Sequence, residues 1–259
     1  MAMTNRYRSL AALLSAAVLA SCGKDAIRDI TAPATGANVK FFNFGVNAPG
    51  VNFYANGTKI TAISSTTGTE STSGTAYGSA GNGGLYSEIA PGTYTFSGRI
   101  AATTDKNLPI SNLQTSVESG KFYSVYQSGF YNSAAKTIDG FILEDVFPAQ
   151  MDFSAAYVRF VNAISNSSPM TLYATNPNTG QQFALGAEVP YKSGGAFTPL
   201  PNGVYDLGAR TTGSTTNAIS RTNVSLSAGH VYTITARGDM TVTSTTATNR
   251  PFLDNTSNR

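Results

Sequence analysis

Few side chains in this 259-residue chain could perform acid–base chemistry. The single histidine, His230, matches Lys121 in an earlier segment of similar sequence, which indicates a polar, exposed position. A histidine base needs a nucleophile and an orienting carboxylate within reach, and the sequence contains no Gly-x-Ser-x-Gly nucleophile turn. The neighbouring carboxylates Glu144 and Asp145 would point to opposite faces of a strand. We interpret both as solvated charges in the connection between two domains, residues 141–153.

Patterns of metal ligands are also scarce. With one histidine, one cysteine and no Asp-x-Asp-x-Asp-Gly run, the sequence disfavours a zinc site and an EF-hand. A calcium site made of loop carbonyls with Asp or Asn remains an alternative, because such ligands leave no sequence pattern. The segment Gly81-Asn82-Gly83-Gly84 predicts a flexible loop and not a phosphate site, since no helix is predicted after it. We therefore expect no catalytic residue, no metal and no cofactor.

The only cysteine, Cys22, has a defined chemistry of its own. It ends the segment Leu19-Ala20-Ser21-Cys22, which follows an apolar run and the basic residues Arg6 and Arg8. This order is typical of a bacterial lipoprotein signal, in which the thiol is acylated and the chain is cut before the cysteine. The apolar run is shorter than the roughly 20 residues of a membrane span. We predict that residues 1–21 are a cleaved signal peptide and that Cys22 is the lipid attachment site.

The predicted cleavage changes the net charge and indicates a location. Loss of Arg6 and Arg8 lowers the net charge from +3 to +1, so the composition gives no argument for nucleic-acid binding. Gly23, in place of an aspartate, favours an outer-membrane lipoprotein of the cell envelope, either periplasmic or surface-exposed. Residues 22–36 are predicted to form a lipidated tether, whose acyl chains hold the protein on the membrane.

The rest of the chain contains two similar segments. Val39–Asn43 matches Val158–Asn162 at an offset of 119 residues, and Val51–Ala55 matches Met170–Ala174 at the same offset. The offset falls to 109 further along, so the first repeat carries about ten additional residues. These residues lie in the Ser/Thr/Gly-rich stretch 61–84, which we interpret as a loop insertion.

The matched segments alternate with the period of two that half-buried strands show. Asn56-Gly57 predicts a two-residue hairpin turn, because both residues tolerate positive φ. Strands that recur about every ten residues between Gly, Pro and Asn turns are typical of β-sandwiches with about seven strands. We predict an all-β protein: two tandem immunoglobulin-like antiparallel β-sandwich domains, residues 37–148 and 155–259, after the lipoprotein signal peptide.

A tyrosine three residues after a glycine recurs in both repeats, as Tyr123 and Tyr232. This spacing resembles a tyrosine corner, in which a buried ring bonds a backbone group through its hydroxyl. The disulfide and tryptophan of antibody domains are absent, because the chain has one cysteine and no tryptophan. The sequence therefore indicates the wider sandwich class and excludes an antibody-type core.

The opening strand and a later strand entry carry a family resemblance. The segment Val158–Ala163, paired with an entry of the type Pro91-Gly92-Thr93-Tyr94, in tandem and behind a lipoprotein signal, resembles the bacterial family of domain of unknown function 4397. The resemblance covers roughly residues 37–245. It implies a lipid-anchored or secreted immunoglobulin-like sandwich without an established activity, and it supplies no catalytic residue. The first repeat departs from the family in its opening strand, Phe41–Gly45, and in its insertion.

Four tyrosines are candidates for ligand binding. Tyr54 and Tyr173 lie on the polar face of equivalent strands, and Tyr77 and Tyr191 occupy equivalent Tyr-x-Ser positions. Sugars and proline-rich peptides stack on such rings; the alternative is cross-strand packing or burial between the domains. The arginines that match across the repeats are interpreted as surface strand residues.

These observations favour a non-catalytic, lipid-anchored cell-envelope protein that binds a glycan or an envelope protein as an adhesion module. The alternative is a structural spacer of the outer membrane surface, and a hydrolase with an unrecognised site is the third. A concave aromatic surface would favour binding, whereas a flat polar surface with a rigid contact between the domains would favour a spacer. The expected partners are the membrane, through N-terminal acyl chains, and a glycan or protein, but no nucleic acid.

Overall fold

Residues 36–61 and 73–259 are described by the computed structural model, and they fall within one compact unit. Every regular element among them is a strand, apart from a single 3-10 turn at Gly81–Gly84. The predicted signal peptide, Cys22 and most of the tether lie outside the described residues, as does the segment 62–72 of the insertion. The strands are β1 Ala37–Asn43, β2 Val51–Ala55, β3 Thr58–Lys59, β4 Ser79–Ala80, β5 Ser87–Ile89, β6 Gly92–Ile100, β7 Pro109–Val117, β8 Phe122–Asn132, β9 Thr137–Glu144, β10 Ala155–Asn162, β11 Met170–Thr175, β12 Gln182–Ala184, β13 Ser193–Gly194, β14 Thr198–Pro201, β15 Gly203–Thr211, β16 Ile219–Leu226, β17 Val231–Arg237 and β18 Phe252–Ser257.

Each repeat forms two sheets that enclose its own apolar core. In the first repeat the orders are β4-β1-β8-β9, with β5 also on β1, and β3-β2-β6-β7; in the second they are β13-β10-β17-β18, with β14 on β10, and β12-β11-β15-β16. Among the described residues, no strand of one repeat pairs with a strand of the other. The first core includes Val39, Phe41 and Phe53, and the second includes Val158, Phe160 and Leu172. The all-β sandwich prediction is therefore confirmed.

The antiparallel prediction needs a correction in one sheet of each repeat. Strand β1 pairs parallel with β8, and β10 pairs parallel with β17, whereas the other pairs are antiparallel. Parallel neighbours require a long crossover, and here the chain between them builds the opposite sheet of the same sandwich. Alternation reveals which face of a strand is buried but not which strand lies beside it.

The predicted hairpin turn is present. Asn56 and Gly57 have φ values of 47° and 82°, so both adopt the left-handed conformation that joins β2 to β3. The surplus of the first repeat lies largely between β3 and Thr75: residues 60–74 stand where the second repeat has only residues 185–188, because Thr75 and Val189 hold equivalent bridges.

The two tyrosine corners are also present. The backbone N–H of Glu118 donates to the Tyr123 hydroxyl at 3.1 Å, and that of Ser227 donates to the Tyr232 hydroxyl at the same distance. Both rings are buried in the core of their repeat. They therefore connect a loop to the start of a central strand at equivalent points of the two sandwiches.

Candidate functional site at the seam between the repeats

The two repeats pack through the outer faces of their mixed sheets, and we call this contact the seam. Alternation along β1, β8, β10 and β17 turns one set of side chains into a sandwich core and the other set toward the opposite repeat. A third apolar cluster lies there and draws residues from both repeats. Its buried members are Phe42, Phe44, Tyr126, Phe141, Val161 and Ala163.

Equivalent residues of the two repeats meet across the seam. Strand register makes Lys40 equivalent to Arg159, and Asp145 equivalent to Asn258. Arg159 of the second repeat bonds Asp145 of the first, and Lys40 of the first repeat bonds Asn258 of the second. Reciprocal contacts of this kind are the mark of a twofold, isologous interface. The seam is therefore an internal pseudo-twofold contact within one chain.

The Arg159–Asp145 ion pair is fully enclosed. The side chains of Arg159 and Asp145 are 3% and 0% exposed, and Arg159 also donates from Nε to the Thr233 hydroxyl at 2.9 Å. Asp145 accepts further hydrogen bonds from the hydroxyls of Ser124 and Tyr86. A buried ion pair is tolerated only when the remaining donors and acceptors are satisfied. The interpretation of Asp145 as a solvated charge is therefore wrong: β9 extends to Glu144 and the chain turns Asp145 inward, while Glu144 faces Lys121.

Lys40 is also buried, and no carboxylate of residues 36–61 and 73–259 forms an ion pair with its ammonium group. Its Nζ donates to the amide oxygen of Asn258 and lies 4.5 Å from the centre of the Tyr86 ring. Burial lowers the pKa of Lys40 to about 8; the charge of Asp145 opposes the shift and that of Arg159 adds to it. Burial, together with Asp145, also raises the pKa of Tyr86. The first repeat thus has a lysine bonded to a neutral amide oxygen at the position where the second repeat has an arginine in an ion pair.

The equivalent candidates Tyr77 and Tyr191 both reach into the opposite repeat. The guanidinium of Arg237, in the second repeat, lies 4.9 Å from the Tyr77 ring centre. The hydroxyl of Tyr191 lies 3.0 Å from that of Ser128, which is the register equivalent of Arg237 in the first repeat. Burial raises the pKa of Tyr191 to about 12. The structure places these two tyrosines in the seam, which matches the alternative of burial between the domains; a role in ligand binding stays a prediction.

The other two candidates lie on outer sheet faces, each beneath an arginine. The Arg99 guanidinium is 4.4 Å from the Tyr54 ring centre, and that of Arg210 is 4.2 Å from the Tyr173 ring centre. Tyr54 is 7% exposed, and Tyr173 is half-buried. Both pairs are diagonal cross-strand neighbours in antiparallel sheets. In each repeat, the guanidinium of the matched arginine therefore lies over the ring of the matched tyrosine.

An open groove of about 380 Å³ follows one flank of the seam. Strand β18 of the second repeat forms one wall, and the loop around the 3-10 turn of the first repeat forms the other. Phe42 and Phe44 lie at the floor, and the exposed Leu85 stands at the rim. The lining residues are Phe42, Phe44, Gly78, Ala80, Gly83, Gly84, Leu85, Asp254, Asn255, Thr256 and Ser257.

The equivalent flank is filled by apolar side chains. Register makes Phe141 and Leu143 of β9 equivalent to Asp254 and Thr256 of β18. Phe141 stacks on Tyr126 with 4.8 Å between the ring centres, and Leu143 lies against Gly194. On one flank Phe141 and Leu143 fill the space. On the other flank Asp254 and Thr256 occupy the equivalent positions and leave the groove open.

The remaining residues that the sequence singled out do not come together in one site among the described residues. His230 is exposed, and its Nδ1 lies 3.0 Å from the carbonyl oxygen of Ala228. Asn82 and Gly83 adopt left-handed conformations in the 3-10 turn, and β5 and not a helix follows them. Among residues 36–61 and 73–259, no three His, Cys, Asp or Glu side chains gather as metal ligands would. In the same residues, no helix is both long and apolar enough to cross a membrane.

Sequence reasoning missed the charged residues of the seam, although a signal for them exists. Lys40 and Arg159 match at the repeat offset, and each is flanked by apolar residues in a strand that is apolar on both faces. Strands of this kind are buried on both sides, so a basic residue among them needs a buried partner. No local sequence pattern predicts the burial of Asp145, because the turn after β9 determines where its side chain points.

Comparison with known protein families finds a match in the second repeat. Residues 156–259 match the family model described as Domain of unknown function (DUF4397). The match runs from β10 through β18 and confirms the resemblance that the opening strand of this repeat carries.

The crystal structure of a "putative cell adhesion protein" from Bacteroides ovatus is also similar to the chain. The identity is 12%, the similarity covers 87% of this chain and 96% of that one, and the TM-score is 0.21. No curated protein matches the chain.

Proposed function

We propose that this protein is a non-catalytic, lipid-anchored module of the bacterial cell envelope, which binds a glycan or a protein ligand in the seam groove. The observation that carries the proposal is the groove itself, whose walls come from both repeats. The buried ion pair of the seam holds these walls in one arrangement. A concave site with an apolar floor and a few polar groups is the usual form of a binding pocket.

The polar groups of the groove suit a ligand with many hydroxyl or amide groups. Asp254 and Thr256 present acceptors and a hydroxyl at the wall. Strand alternation turns Asp254 and Thr256 toward the groove, whereas Asn255, like Leu253 of the core, points to the opposite face of β18. Hydroxyl or amide groups of a ligand would therefore bond Asp254, which also pairs with Arg237, and Thr256.

A variant that fills the groove tests the proposal. Thr256→Tyr places a large ring opposite Gly84, whereas Gln114→Tyr adds the same ring to an exposed strand position far from the groove. We expect the unaltered protein and Gln114→Tyr to bind the same glycans on an array or the same purified envelope protein, and Thr256→Tyr to lose at least tenfold in affinity. Equal binding by all three proteins would remove the groove as the site.

A structural spacer is the second candidate, and the closed seam is the observation that favours it. The two sandwiches contact each other through a buried ion pair and a shared apolar cluster, which favour one fixed arrangement of the repeats. A spacer predicts no ligand on any array. It also predicts that seam variants change the envelope phenotype while Thr256→Tyr does not.

The lipid anchor is tested separately. Cys22→Ala removes the only thiol that could be acylated. We expect the variant to leave the membrane fraction, since two or more acyl chains supply an affinity that the folded part lacks. A chain that is processed normally and stays in the membrane fraction without the cysteine would contradict the anchor.

A further inference from the structure

The connector between the repeats, residues 145–154, lies at the end of the molecule where the described chain begins. The backbone N–H of Asp145 donates to the carbonyl of Phe122 at 2.7 Å, and that of Gly120 donates to the carbonyl of Gly36 at 2.9 Å. Gly120 lies in the turn before β8, and Phe122 is the first residue of that strand. The connector and the tether therefore leave the fold at the same end.

This connector exposes two large apolar side chains beside the polar ones of Gln150, Asp152 and Ser154. Val146 is 68% exposed and Phe153 is 77% exposed. Phe147, between them, packs against Phe122 and Phe197 with ring centres 5.1 and 5.5 Å apart. The ring of Phe147 thus packs on the fold, whereas Val146 and Phe153 face the outside.

The exposed side chains span the same end of both repeats. Phe153 lies beside Gly229, whose backbone N–H donates to the carbonyl of Ala155 at 2.8 Å, and this contact is the second-repeat equivalent of the Gly120–Gly36 bond. The Arg259 guanidinium lies 5.0 Å from the Phe147 ring centre. We define the connector face as Val146 and Phe153, with this arginine at its edge.

We propose that the connector face rests on the surface of the membrane that carries the lipid anchor. The inference rests on the proposed anchoring at Cys22. The fourteen residues 23–36 that follow Cys22 span at most about 50 Å, so this end of the fold stays near the bilayer. Confinement makes a weak contact effectively intramolecular. Exposed apolar and aromatic side chains beside a cation suit the interface between headgroups and acyl chains.

A pair of tryptophan reporters tests the orientation, because the chain contains no tryptophan of its own. Phe153→Trp places the reporter in the connector face. Phe130→Trp places it at the far end of β8, roughly 27 Å from Phe122 at 3.3 to 3.4 Å per residue, and Phe130 is also partly exposed, at 45%. The acylated full-length protein is reconstituted in phosphatidylethanolamine and phosphatidylglycerol vesicles with brominated acyl chains, and the quenching of each tryptophan is measured.

We expect Trp emission at position 153 to be quenched at least twofold and shifted to the blue, with emission at position 130 unchanged. Adding Val146→Asp to the Phe153→Trp protein should weaken the quenching, since that residue is exposed and its replacement leaves both cores intact. Equal emission at positions 153 and 130 in protein that floats with the vesicles would overturn the inference and leave the anchor standing. Protein that fails to float would overturn the anchor and the inference together. A blue shift that needs no vesicles and grows with protein concentration would assign the connector face to a second copy of the chain.

Discussion

Lys40 and Arg159 occupy the same register position in the two repeats, but they are held in different ways. Arg159 has the Asp145 carboxylate, one hydroxyl, one backbone carbonyl and an aromatic ring, whereas Lys40 has an amide oxygen and two aromatic rings. The sandwich frame accepts both arrangements without a change in strand order. The charged pair is thus not required for the fold of a repeat. We infer that it fixes how the repeats pair, a role that buried ionic groups have in some proteins.

The largest effect is expected when the two repeats are expressed as separate fragments. We expect residues 155–259 to fold alone, because the second core draws only on strands β10 to β18, and to show a β-rich far-UV circular dichroism spectrum. The fragment would expose Arg159, Val161 and Arg237, a small apolar area beside two cations, so it should sediment as a monomer.

The first repeat alone would expose more apolar surface at the seam, namely Phe42, Phe44, Tyr126 and Phe141. We therefore expect residues 37–148 to be less soluble than the second repeat. A disordered spectrum for residues 155–259 would show instead that the two repeats share one core.

Removing each buried cation in turn gives the next largest effect. Arg159→Met leaves the carboxylate of Asp145 buried and without its ion-pair partner, and we expect the free energy of unfolding to fall by about 3 kcal/mol. Lys40→Met leaves only a neutral amide at Asn258, so the change should stay within about 1 kcal/mol or be stabilising. Urea melts of both variants measure the difference. Equal losses would mean that the two sides of the seam are held alike.

Local sequence patterns predict the fold of each repeat, but they do not predict the contacts of the seam. Period-two alternation and the Asn56-Gly57 dipeptide act over a few residues, and the strands and the turn follow them. The parallel pairing of β1 with β8 and the contact between Arg159 and Asp145 depend on how separate segments meet. The local sign of the seam is that β1 and β10 carry apolar residues on both faces, which indicates that another layer covers them.

The pH dependence of stability sharpens the contrast at Lys40. A lysine has a pKa near 10.5 in the unfolded chain, and burial lowers the pKa of Lys40 to about 8 in the folded protein. Between pH 8 and 10 the unfolded chain therefore binds a proton that the folded protein has released, and stability rises with pH by roughly 2 kcal/mol in total. Below about pH 7, where Lys40 is protonated in both states, this contribution is constant.

Lys40→Met should abolish that rise, as measured by urea melts between pH 8 and 10. The measurements stop at pH 10 because burial raises the pKa values of Tyr126 and Tyr191 to about 12. Above pH 10 these tyrosines ionise first in the unfolded chain, so stability falls again. Parallel pH profiles for the two proteins would show that Lys40 does not titrate in this window.

The smallest expected difference lies on the outer sheet faces, where Arg99 covers Tyr54 and Arg210 covers Tyr173. Cation–π pairs contribute about 0.5–1 kcal/mol at exposed sites and more when water is excluded. Tyr54 is nearly buried and Tyr173 is not, so Arg99→Ala should cost more than Arg210→Ala. Because Arg210 also donates to Asn217 and Gln182, each pair needs a double-mutant cycle with Tyr54→Leu or Tyr173→Leu to isolate the ring contact. A larger coupling in the second repeat would show that exposure does not set the strength of these matched pairs.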